Sequence, residues 1–334
     1  MGTQTTSQLT DPTSSAEVGL ACTTVDRAAE LRARARDFAT ASRSEATLGA
    51  YASDPRHFSA WAAANNLAAL PAAPDTVALY LTSMAESFKP STLARRVAGI
   101  SVAHQHAGFP SPTTDALVRS VLSGIRRTVG TAPNQVAPTT IGEIRKMTAR
   151  KGDSTIEIRD RAILLLGFAG AFRRSELVSL DVCDIEERPD GILVTLRRSK
   201  TDQTGEGDTK AIPFGTDAET CPVRAVQAWI STAATTDGPL LRPVDRHGNV
   251  SPSRLSGKAV ALVVKRAAER VGLDPTAYAG HSLRAGFVTT AAANGATERA
   301  IARQTGHAAG SAVLRHYIRH ASAFTDNAVN DLGL

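Results

Sequence analysis

The sequence predicts a mainly α (α+β) chain in two parts, an N-terminal helical bundle followed by a mostly helical domain with a small antiparallel sheet. Three observations carry this. Apolar residues recur at helical spacing over most of residues 26–129. Period-two alternation is confined to a stretch after the turn Pro189-Asp190-Gly191. An aperiodic run with two prolines, 130–138, separates the two patterns and reads as a linker. A chain of 334 residues gives each part enough length to bury its own core.

Residues 1–25 are rich in Thr and Ser with little apolar periodicity and read as a mobile tail. The domain over 26–129 follows. Leu48, Tyr51, Phe58 and Trp61 fall in helical register, but Pro55 interrupts them. An internal proline costs a regular helix about 3 kcal/mol, which predicts a break or kink near Asp54-Pro55. Asp75 is expected to cap a helix with Val77, Tyr80, Leu81 and Met84 on one face, and Ser91 to cap the next, with Leu93, Val97, Ile100 and His104. After a loop at Gly108–Pro112, Leu117, Val118, Val121, Leu122 and Ile125 mark a further helix.

The second domain, 139–334, opens on Thr140 and Glu143, spaced as a capping box. An apolar helix over Arg159–Gly170 and a shorter one over Ser175–Leu180 come next. Ile192, Val194 and Leu196 alternate as a strand, and Ala211–Phe214 is expected to pair as another. From Pro222 the chain reads as helical to its end.

Composition narrows the function classes. Hydrophobic residues at 42% and charged residues at 21% fit a globular chain rather than a disordered one. The net charge of +6 permits a polyanionic partner. No run of 18 apolar residues offers a membrane span, and the polar N-terminus has no signal-peptide core. Cys22, Cys183 and Cys221 form neither a disulfide framework nor a zinc pattern, as expected in a reducing cytoplasm. There is no phosphate-binding Gly-rich loop, dinucleotide fingerprint, HExxH or paired-carboxylate metal site, so no metal and no cofactor is expected.

What remains is a set of basic and phenolic residues in the second domain. They are Arg173 in Gly170-Ala-Phe-Arg-Arg-Ser-Glu-Leu177, Lys200 in Arg198-Ser-Lys-Thr-Asp-Gln203, His281 and Arg284 in Gly280-His-Ser-Leu-Arg-Ala-Gly286, His307 in Gln304-Thr-Gly-His307, and Tyr317 in Arg315-His-Tyr-Ile318. In this order they resemble the tyrosine recombinase (phage integrase) family, and the chain is similar to simple two-domain members such as Cre and the Xer proteins over residues 40–334. The resemblance implies that Arg173 and Arg284 hold the non-bridging oxygens of a scissile phosphate and that Tyr317 is the nucleophile. It also implies that Lys200, on a turn between two strands, protonates the leaving 5′ oxygen. His281 would assist proton transfer, His307 would bond the phosphate, and Glu176 would support the site's Arg and His residues. The implied activity is site-specific recombination of double-stranded DNA through a 3′-phosphotyrosine link, by four protomers on two sites.

The residue types suit that chemistry on their own. Attack on a phosphodiester gathers negative charge on the equatorial oxygens, so catalysis is mostly positioning and electrostatic stabilisation. A guanidinium fork matches two phosphate oxygens, and a phenol with an ordinary pKa near 10 needs help to attack at neutral pH. His281 and Arg284, three apart on a helix, share one face. In the first domain Lys89, Arg95, Arg96, Arg119, Arg126 and Arg127 are candidate phosphate contacts, with Ser91, Thr92 and His104 near the groove edges. Two alternatives share parts of this pattern: a type IB topoisomerase-like relaxing enzyme, and a non-catalytic DNA-binding protein of the same fold.

Overall fold

The computed structural model describes residues 1–3, 27–35, 38, 45–130, 136–149, 152–197, 207–308, 310–321, 323 and 327–332. The chain divides into two compact units, Met1–Pro133 and Asn134–Leu334. Most of the expected tail and residues 131–135 of the expected linker lie outside the described residues. Among the described residues no helix is long and apolar enough to cross a membrane.

The first unit is helical: α1 (Glu45–Ala64), α2 (Pro74–Met84), α3 (Pro90–His106) and α4 (Ala116–Val129). Its core is Phe58, Val77, Tyr80, Leu81, Leu93, Ile100 and Val118. Of the expected break or kink, the break does not occur: α1 runs continuously through Pro55. Tertiary packing overrides the proline. Buried Asp54 pairs with Arg95 at 2.5 Å, Gly99 on α3 lets Asp54 and Pro55 approach closely, and Arg56 Nε donates to the Ala52 carbonyl one turn back. The expected caps also shift. α2 and α3 each start on a proline, where the missing N–H has no helical acceptor to lose. Asp75 and Ser91 therefore sit inside first turns, behind Ala73 and Lys89.

The second unit holds α5 (Ile141–Thr148), α6 (Thr155–Ala169), α7 (Arg174–Ser179), α8 (Pro222–Ala233), α9 (Gly257–Arg270), α10 (Gly280–Ala293), α11 (Glu298–Thr305) and α12 (Ala312–Ala321). A three-stranded antiparallel sheet, β1 (Ile185–Arg188), β2 (Gly191–Leu196) and β3 (Asp208–Pro213), is ordered β1-β2-β3. Capping boxes open α5, where Thr140 and Glu143 exchange bonds, and α6, where Ser154 and Glu157 do. α6 is buried along Ile163–Leu166, and Trp229 of α8 is fully buried with its indole N–H donating to the Leu240 carbonyl at 2.7 Å.

Residues 234–256 correct the expectation of a helical run to the end. They form an irregular connection with β-bridges Asp181↔Pro239 and Val244↔Val250. Pro239, Pro243, Gly238 and Gly248 break helical repetition there, while Leu240, Leu241 and Leu255 anchor the segment in the core.

Candidate active site

The site is assembled at the C-terminal end of α6. That helix closes on Gly170, whose lack of a side chain leaves room for the ring of Phe172 to fold back. Ala171 then adopts φ +48°, a left-handed conformation costly for a residue with a Cβ. This tight turn delivers Arg173 as the N-cap of α7. Glu176, buried at 3% exposure, returns one carboxylate oxygen to the Arg173 backbone N–H at 2.8 Å and the other to its guanidinium. One carboxylate thus fixes both ends of Arg173. The neighbouring Arg174 is exposed, its stem lying where a Cβ on Gly257 or Gly280 would meet it at 3.2 and 3.3 Å.

α10 starts at Gly280, so His281 lies in its first turn and Arg284 one turn on. Arg284 is 2% exposed and donates to the Ala171 carbonyl at 2.8 Å. Its other nitrogen stands 3.3 Å from His307 Nε2. His307 follows α11, whose last residue gives way to Gly306 at φ +64°, the left-handed cap that turns the chain back. The bonds of His307 define its tautomer. The Thr305 hydroxyl donates to the Ile301 carbonyl at 2.7 Å, so its oxygen accepts from His307 Nδ1–H at 2.8 Å. Nε2 is left with a lone pair facing Arg284.

Tyr317 lies on α12, half-buried against the small cluster of Val288, Ile301 and Leu314. Burial raises its pKa, and the Arg284 charge pulls the other way. The phenol therefore stays protonated in the free protein. The cations are pushed toward their neutral forms. Burial first, then Arg173, lowers Arg284 to about 10. Burial, Arg284 and Arg173 lower His307 to about 4. The same causes lower His281, which remains an exposed residue. The site is thus a concentration of positive charge, arranged for an anion. Beside His307 a groove of about 630 Å³ opens, lined by Asp208, Glu298, Arg299, Arg303 and Arg315.

Five of the predicted catalytic and supporting residues, Arg173, Glu176, Arg284, His307 and His281, are thus brought together, with Tyr317 near Arg284. Lys200 lies outside the described residues. Lys210 was not expected here. It is 2% exposed and donates to the Gly170 carbonyl at 2.8 Å, with its ammonium 4.6 Å from the Phe172 ring centroid. The signal was present: on β3 it shares parity with buried Ile212. Among the described residues no group of three or more His, Cys, Asp or Glu could hold a metal ion.

In the first unit Lys89, Arg95, Arg119, Arg126 and Arg127 are exposed. Arg96 is a correction: it is 6% exposed, its guanidinium lies 3.9 Å from the Phe88 ring centroid, and it donates to the Tyr80 hydroxyl at 2.8 Å. Its place is the core, not a phosphate. His104 is likewise buried, accepting from the Ala72 N–H at 2.9 Å and bonding the Ile100 carbonyl at 2.8 Å, so it bridges a loop to α3 instead of facing a groove.

Residues 139–323 match the family model described as the phage integrase family. Over 293 residues the chain is 40% identical to an integrase/recombinase xerD homolog of Selenomonas ruminantium, covering 86% of each protein. Its fold resembles that of a lambda integrase dimer bound to a COC′ core site, with TM-score 0.58 at 16% identity over 86% of this chain and 75% of that one. A XerH site-specific recombinase in a post-cleavage complex with palindromic difH substrate gives TM-score 0.54 at 15% identity over 78% and 71%. With the family match spanning the unit that holds the cationic cluster and the tyrosine, the chain belongs to the phage integrase family, the tyrosine recombinases.

Proposed function

We propose that this chain is a site-specific DNA recombinase that cuts and rejoins duplex DNA through Tyr317. The phenolic oxygen attacks the scissile phosphorus and the bond to the 5′ oxygen breaks. The phenol's proton passes to the His281 ring, and Lys200 gives a proton to the departing 5′ oxygen, which leaves as a 5′-hydroxyl. The product is a 3′-phosphotyrosine. Reversal with a different 5′-hydroxyl rejoins the strand, and the ester conserves the bond energy, so no nucleotide is consumed. Arg173 and Arg284 take the non-bridging oxygens, where removing one preorganised donor typically costs about 10²–10³ in rate. His281 moves protons. His307 meets the phosphate. An anion beside its ring favours the protonated form, which turns Nε2 from acceptor to donor.

The first unit supplies DNA-backbone contacts through Lys89, Arg95, Arg119, Arg126 and Arg127, and the second is the catalytic domain. Four copies assemble on two DNA sites, with residues 321–334 of each docking on the next. Among the described residues of that segment, Val329 and Leu332, at 55% and 64% exposure, are the apolar side chains that such docking would cover, while Phe324 lies outside the described residues.

The observation that carries the reading is the Arg284 hub, which touches the Arg173 turn and His307 and acts on the Tyr317 phenol. The test uses a pool of nicked duplexes with randomised sequence around the nick, because release of the short strand traps the adduct. Denaturing capture of wild-type protein is expected to retain DNA linked at Tyr317, with a chelator present. Tyr317→Phe should retain none. A wild-type protein that captures no DNA, or a link at another side chain, overturns the proposal.

A further inference from the structure

Three consecutive carbonyls at the end of α6 are each taken by a side chain from a different element. Gln304 of α11 donates to Ala169 at 3.0 Å, Lys210 of β3 to Gly170 at 2.8 Å, and Arg284 of α10 to Ala171 at 2.8 Å. A helix leaves its last carbonyls without intrahelical partners, and caps or water normally satisfy them. Here they are satisfied by a clamp, on a turn whose Ala171 is held at φ +48°. Such a conformation persists only where its surroundings over-determine it. Two residues later the chain reaches Arg173.

We propose that Lys210 is a positioning residue for the strand-cleavage reaction: by holding the Gly170 carbonyl it fixes the turn that aims Arg173, and it ties that turn to the β2–β3 hairpin. The inference rests on the reading of the site as a DNA-cleaving centre. Lys210 pairs in register with Val194 on β2, and the loop joining β2 to β3 carries Lys200. The ammonium therefore links the mounting of one proposed phosphate-handling residue to the strand pair bearing another. At 2% exposure Lys210 has no path to DNA, so its effect passes through Arg173.

The role depends on charge. Lys210 faces Glu176 of α7, Arg173 at the cap of α7, Arg284 of α10, Asp208 of its own strand and His307 after α11. Burial is the largest influence and sets its pKa at about 8. Above that value the ammonium becomes an amine and the charge-assisted bond to Gly170 weakens. The second-order rate of adduct formation, measured with subsaturating DNA, reports the ionisations of the free enzyme.

A duplex recovered in the Tyr317 capture serves as substrate for wild type, Lys210→Met and Gln304→Ala, with DNA affinity measured in a Tyr317→Phe background. Wild type is expected to lose rate above about pH 8. Lys210→Met should form adduct about 10–100-fold more slowly at pH 7, the scale of a catalytic group misplaced by about 1 Å. It should bind DNA as wild type does and show no break near pH 8. Gln304→Ala should slow adduct formation less and keep the break. A wild-type rate for Lys210→Met, a break near pH 8 that persists in it, or a loss confined to DNA affinity overturns the proposal, while the Tyr317 adduct leaves the functional reading standing. Should Lys210→Met fail to fold, absence of the break in wild type, or an unchanged rate in Gln304→Ala, overturns it equally.

Discussion

Lys210 and His307 are held against their own charging, and this gives their ionisation a measurable effect on stability. Lys210 sits at about 8 against 10.5 when free, and His307 at about 4 against 6.5. A base whose pKa is lower folded than unfolded binds fewer protons in the folded state between the two values. Stability therefore rises with pH through each window, about 4 to 6.5 for His307 and about 8 to 10.5 for Lys210. Below its window each group imposes its full cost. At about 1.4 kcal/mol per pKa unit, the charged form of Lys210 at pH 7 costs on the order of 3 kcal/mol. A methionine in its place avoids that cost and forfeits one hydrogen bond from a charged donor, worth about 1.5–3 kcal/mol. Urea unfolding should find Lys210→Met no less stable than wild type at pH 7. Between pH 8 and 10.5 wild type should gain on it, because the cost of holding Lys210 uncharged in the fold falls as the unfolded lysine also loses its proton. A lysine present for stability alone would give the opposite order at pH 7.

α10 is the element on which the site depends, and Gly286 sets its seat. A Cβ there would meet the Thr139 carbonyl oxygen at 1.9 Å, and backbone cannot step aside as a flexible side chain can. Gly286→Ala should destabilise by about 1–3 kcal/mol, the usual range for overpacking, and displace His281 and Arg284 with the helix. Gly124, on the exposed face of α4 with nothing within 4 Å, is the control: alanine there should stabilise by about 0.5–1 kcal/mol. Denaturant midpoints of the two variants should move in opposite directions.

The elements differ in how far they could be read beforehand, and the reason is locality. The Thr140–Glu143 box, the Pro-Asp-Gly turn and the His-x-x-Arg face are interactions within a few residues, and they were legible. β1 was not, because Ile185-Glu-Glu-Arg188 is an edge strand with three exposed side chains and lacks alternation. Pro55 misled because the contacts that carry α1 through it come from α3, some 40 residues on. Arg96 and Lys210 misled in the same way. A long basic side chain reads as solvated until a distant Phe88, Tyr80 or Gly170 is seen to receive it.

For the whole molecule the net charge of +6 matters less than where the charge is free. At the site of the second unit Arg284 is buried and donates to a carbonyl, and Arg173 is held by Glu176, so these two suit one phosphate held at the reacting position. In the first unit Arg119, Arg126 and Arg127 are exposed on α4, and Arg95 is offset by buried Asp54. Affinity that is general along a duplex should come from the exposed set. Each neutralised phosphate releases counterions and contributes about −0.9 to the slope of log affinity against log salt. Replacing Arg126 and Arg127 together by alanine should make that slope shallower by close to 2, with the Tyr317 adduct still forming at low salt. Arg96→Ala should leave the slope unchanged and instead lower the unfolding midpoint, since it empties a core position. Removing residues 321–334 should also leave the slope per bound protomer unchanged, while limiting the bound species to fewer than four copies. Equal slopes for wild type and the Arg126/Arg127 variant would mean that these arginines lie off the DNA and that the phosphate contacts must be sought elsewhere on the chain.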